Sequence, residues 1–203
     1  MRVDVRVPFL LDCVSALLPR LNETDETTVP SMAASTILSL LHAVRACEDQ
    51  SDADLGMIGP DRLVDTVRAI LHVVCAAGSL TSASMRYDLY LSVVCAVQMV
   101  LRTSAAPRMH SLLVAHADNL VHVLARDALD GSDVMQTVAL TTLSHLVAWD
   151  ATKGTASMRV GERLASAGYM KSLVLRIQEL DMPLQATLVP DPPSLNALYV
   201  YEA

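Results

Sequence analysis

The sequence predicts an all-α protein built from consecutive helix pairs, and three observations carry that reading. Apolar residues make up 52 % of the chain and aromatics only 3 %. The core must therefore come from Leu, Val, Ala and Met, which suit helix-on-helix packing better than strands. Apolar positions also recur at helical spacing, as in Ile37, Leu40, Leu41 and Val44, the i, i+3, i+4, i+7 stripe of an amphipathic helix. Finally, proline, glycine and short polar loops punctuate the chain between those stripes.

Taken in order, Pro8 to about Leu21 reads as the first helix, followed by an acidic loop from Asn22 to Glu26. Pro30 and Ser31 open a second helix that runs to about Glu48. A second acidic loop over 48–54 leads to Gly59, Pro60 and Asp61, a helix start with proline in its first turn. The third helix turns Leu63, Val67, Ile70, Leu71 and Val74 inward and stops at Gly78. Ser82 caps a fourth that reaches about Arg102. It holds the most apolar stretch, Leu89 to Leu101, which falls well short of the ~20 residues a bilayer requires and is bracketed by Arg86, Asp88 and Arg102. It reads as a buried helix, not a membrane span.

Pro107 starts a fifth helix reaching Ala128, with a break expected near Asp118, and Ser132 or Asp133 caps a sixth ending at Trp149. After a weakly structured stretch over 150–155, two shorter helices, about 157–167 and 169–180, meet at Ala167 and Gly168. Residues 183–193 are proline-rich and read as an extended connector. Ser194 then opens a further helix through Leu195, Leu198 and Tyr199. Nothing after it terminates a helix, so the sequence is expected to be a piece of a longer array.

In pairs, the helices open near residues 8, 60, 107 and 157, a period of roughly 50 without any residue self-similarity, slightly longer than the ~40–47 of HEAT and armadillo units. The expected architecture is an α-solenoid of HEAT/armadillo-like helix pairs over residues 1–182, with a compact helical bundle as the alternative. The long acidic loops favour the solenoid, because tight bundles prefer short connections.

No residue set spells out a chemistry. The charge is −7 and the 15 basic residues are scattered singly, which argues against direct nucleic-acid binding. Cys13, Cys47, Cys75 and Cys95 lack any CxxC spacing and read as small buried thiols. His110, His116 and His122 recur every six residues, so each is turned about 120° from the last and they cannot share a ligand. They read as surface or half-buried side chains. His42, His72 and His145 stand singly in apolar helices. Paired carboxylates occur only in the loops over 23–26 and 48–54, where water keeps them ionised. The methionines read as gap-fillers in helical cores. No catalytic, cofactor-binding or metal-binding residue is assigned, no cofactor is called for, and no partner-binding residue can be named.

The segment Leu198, Tyr199, Val200, Tyr201, Glu202 resembles a Leu-Tyr-x-Tyr-Glu helix of the large scaffold nucleoporins of the nuclear pore inner ring. The stretch from Arg163 to Gln178, with Gly168, Tyr169 and Met170 before an apolar run, is similar to an armadillo-like unit of the same family. That resemblance implies a very long α-solenoid in the nuclear pore at the nuclear envelope. It implies no enzymatic activity, no membrane insertion, and binding to short linear motifs of linker nucleoporins. None of the family's peptide-binding residues maps onto a motif here. A karyopherin-like or other HEAT-type transport adaptor, which would share the acidic charge and helical pairs, is the alternative.

Overall fold

A computed structural model describes residues 6–23, 28–50, 59–76, 82–151 and 158–179. They fold as eight α-helices, with no strand among the described residues: α1 Arg6–Leu17, α2 Thr28–Gln50, α3 Pro60–Ala76, α4 Ala83–Val100, α5 Ala106–Asp130, α6 Asp133–Ala151, α7 Val160–Ser166 and α8 Met170–Glu179. A 3-10 turn at Leu18–Asn22 extends α1, beginning where Pro19 removes an amide donor and discourages a further α-turn. The expected connector 183–193, the helix from Ser194, Gly78 and most of both acidic loops lie outside the described residues.

The sequence punctuation acts as read at several places. Gly59 takes φ +101° immediately before Pro60, a left-handed turn that L side chains rarely adopt. Ser82 caps α4, its hydroxyl accepting from the Met85 amide at 3.1 Å. Gly168, at φ +77°, makes the corner between α7 and α8. The break expected at Asp118 does not occur, and α5 runs unbroken. Asp118 points away from its own helix and pairs with Arg163, so its carboxylate does not compete for α5 backbone amides.

Helices pack within pairs, α1 on α2, α3 on α4, α5 on α6 and α7 on α8, and each pair packs on the next. Helices α1, α3, α5 and α7 form one layer and α2, α4 and α6 the other, with the main packing confined to consecutive pairs. A compact bundle would instead gather all helices around one centre. This is the nearest-neighbour packing of repeat arrays, in which a pair buries its faces only against its neighbours. Helix α4 lies deepest, with every side chain from Leu89 to Val97 buried, because it is packed by α2, α3 and α6 at once. The apolar stretch was read correctly as a buried helix, and no helix among the described residues is long and apolar enough to cross a membrane.

The α5–α6 turn is built tightly. Gly131 donates its backbone amide to the Asp127 carbonyl at 3.1 Å, and the Gln136 side-chain Nε2 donates to the Gly131 carbonyl at 2.7 Å. A Cβ at Gly131 would lie 2.4 Å from the Asp127 carbonyl oxygen and 2.9 Å from Met135 Cγ. Gly131→Ala is therefore expected to cost about 1–3 kcal/mol, the usual range for overpacking, measurable by urea denaturation.

Candidate interaction surface

The residues that could carry chemistry do not converge. Among the described residues no group of three or more His, Cys, Asp or Glu is placed to hold a metal. Cys95 is buried, whereas Cys13, Cys47 and Cys75 are only half-buried, a correction to the expectation of four core thiols. Burial pushes the Cys75 thiol up to about 11, so it is a poor nucleophile near neutrality. The three α5 histidines do diverge. His122 is exposed, but His110 is buried, contrary to expectation, because it lies on the same inward stripe as Ala106, Leu113 and Ala117. Met85, Met99, Met109, Met135 and Met158 fill the core as expected, but Met32 is 69 % exposed and Met170 40 %.

His145 stacks on Trp149 with ring centroids 5.7 Å apart, and burial holds its pKa below the ordinary value. His42 is lowered as well, by burial first and then by the nearby Arg45 cation. Folding thus selects the neutral imidazoles. Stability is fully present above the unfolded value of about 6.5 and declines as pH falls below it, until the folded imidazoles protonate too. The melting temperature is expected to drop from about pH 7 to about pH 5.5. The drop should be shallower in a His42→Leu/His145→Phe variant followed by circular dichroism.

Polar side chains serve the junctions between pairs. Asp127 of α5 is buried, accepting from the Tyr90 hydroxyl at 2.7 Å and from Arg86 Nε at 2.8 Å, both on α4. Burial, then the bond to Asp127, raises the Tyr90 phenol far above its usual range. This cluster links pair two to pair three. At the next junction Asp150, at the end of α6, accepts from the Val160 amide at 3.4 Å and from the Met158 amide. These bonds hold the chain entering α7, where Arg159 adopts φ +50°. The Tyr169 hydroxyl bonds His122 Nδ1 at 2.8 Å across the same junction.

A further regularity runs along the α1–α3–α5–α7 layer. Arg62 of α3 pairs with Asp12 of α1, Arg108 of α5 with Asp61 of α3, and Arg163 of α7 with Asp118 of α5. Arg62 and Arg108 lie in the first turns of their helices, where the helix dipole disfavours a cation, whereas Arg163 lies midway along the short α7. The aspartate of the preceding helix supplies the compensating charge. In the sequence these arginines stand singly scattered. The signal was a Pro60-x-Arg62 and a Pro107-Arg108 helix opening, each about 50 residues after its acidic partner.

The clefts between helices are modest. One encloses about 250 Å³ between Val121, His122, Ser166 and Tyr169, and another about 230 Å³ between Ser84, Tyr87, Ser132 and Val134, both below the ~300–1,000 Å³ of small-molecule sites. A wider dish of about 430 Å³ lies open over Arg68, Pro107, Arg108 and Ser111. Beside the second cleft, at the first turns of α4 and α6, Val134 is 58 % exposed.

Stacked helix pairs, polar clasps between them and shallow grooves are the architecture of a helical scaffold. Over residues 1–203 the chain matches the family described as nuclear pore complex scaffold, nucleoporins 186/192/205. The chain belongs to that family, whose members are components of the nuclear pore complex at the nuclear envelope. It is also 34 % identical over 93 residues to the human nuclear pore complex protein Nup205, a match covering 46 % of this chain and 4 % of that protein. No solved structure matches the chain.

Proposed function

We propose that this chain is one stretch of a long nuclear pore scaffold. In this reading it is a non-enzymatic α-solenoid segment that binds short linear motifs of linker nucleoporins and abuts neighbouring scaffold subunits, supporting nucleocytoplasmic transport. The family match over residues 1–203 carries the reading. Packing confined to consecutive pairs supports it, since arrays of this kind offer long surfaces and inter-helix grooves to amphipathic peptides. In the same reading, residues 183–193 connect the array over 1–182 to a further unit that begins at Ser194.

The α4–α6 groove beside Val134 is the place on this segment where an apolar anchor would insert. The test is calorimetric titration of the 203-residue chain with fragments of linker nucleoporins carrying amphipathic helical motifs. Binding near the micromolar range, weakened at least ~10-fold by Val134→Asp with the fold intact, is the expected result. Absence of binding by every fragment overturns the motif-binding role, and unchanged binding by Val134→Asp overturns the groove assignment.

A further inference from the structure

Helix α8 turns Leu173 into the core at 4 % exposure and leaves Met170, Val174 and Leu175 at 40 %, 47 % and 51 %. Met170 and Val174 are neighbours at i and i+4, and Leu175 lies further round, with Lys171 between it and Val174 on the helical arc. In the earlier pairs the corresponding second helices, α2, α4 and α6, each pack on the one before or after. Helix α8 therefore carries an outward apolar arc suited to one more helix.

We propose that residues 194–203 of this same chain dock as a short helix on that arc. Three properties of the sequence favour this occupant. Ser194 is a good N-cap, and Leu195, Leu198 and Tyr199 form one apolar stripe behind it. Residues 180–193, which join it to α8, can extend to roughly 40 Å at the ~3.1 Å per residue of a proline-rich segment. Helix α8, with its ten residues, is only about 15 Å long, so the stripe can reach any point along it. Glu202 is the only charged residue in the segment, and it complements Lys171 on the arc. A ten-residue helix is marginal alone in water, so its order would come from this burial. The proposal rests on the helix-pair packing and is independent of which nucleoporins the chain binds.

Hydrogen exchange on the full 203-residue chain tests it, comparing the natural sequence with Leu198→Asp, Val174→Asp and the double variant. Amides of 170–179 are expected to exchange at least ~10-fold faster in Leu198→Asp, while those of 85–128 stay unchanged. Val174→Asp should act similarly, and the double variant should add little, because both changes break one contact. If Leu198→Asp leaves exchange in 170–179 unaltered, the proposal fails. It also fails if protection of α8 rises with protein concentration alike in the natural sequence and in Leu198→Asp, since a second copy would then be the occupant.

Discussion

Asp127→Ala is expected to lower stability by about 3 kcal/mol, the low end of the ~3–5 kcal/mol for breaking a buried ion pair. The low end applies because the Arg86 side chain is still 20 % exposed and can recover some water. The loss leaves the buried Tyr90 hydroxyl and the Arg86 guanidinium, both aimed at the former carboxylate, without it. Replacing the three together, Arg86→Met/Tyr90→Phe/Asp127→Leu, should recover most of the loss, since packed apolar groups often match a buried ion pair. Urea midpoints at constant slope give both numbers. A single variant within about 0.5 kcal/mol of the natural chain would show that the cluster is not what joins pair two to pair three.

Leu124→Ala is expected to cost about 2–5 kcal/mol, as for other fully buried leucines. Leu124 lies on α5, the helix shared by the α3, α6, α7 and α8 contacts. A cavity there loosens two junctions at once. Leu173→Ala removes the same group, but on α8, the last described helix, and should chiefly release that helix. Denaturant melts and hydrogen exchange together separate the outcomes. Leu124→Ala should lower the global midpoint, whereas Leu173→Ala should speed exchange in 170–179 with a smaller global shift. Equal global losses would mean that the pairs unfold as one closed bundle.

Local rules account for what the sequence made legible. Pro60, Ser82, Pro107 and Gly168 fix helix ends through their own backbone chemistry, so the openings of α3, α4, α5 and α8 lie within a residue or two of expectation. The depth of α4 was legible because an apolar run interrupted only by Ser92 and Gln98 has almost no face to give to water. Long-range pairing was not legible. Asp127 meets Tyr90 and Arg86 from 37 and 41 positions away, and neither distance leaves a periodic trace. The expected break at Asp118 failed for the same reason, since its partner Arg163 lies on another helix. His110 was misplaced because an even six-residue spacing tells how histidines diverge but not which of them faces inward.

The Asp12–Arg62, Asp61–Arg108 and Asp118–Arg163 clasps give the stack a mechanical polarity. Five of these six side chains are between 46 % and 82 % exposed, and exposed ion pairs contribute only ~0–1 kcal/mol each and weaken with salt. Prising this rim apart lets water replace what it removes, and the pairs re-form when the load is released. On the opposite rim Arg45 bonds Gln98 at 2.7 Å and Ser31 meets Ser82, but opening it also bares the dry flanks of α4, at ~25 cal/mol for each Å² exposed. The clasped rim is thus expected to loosen as ionic strength rises, while the layer holding α4 resists chiefly through apolar burial.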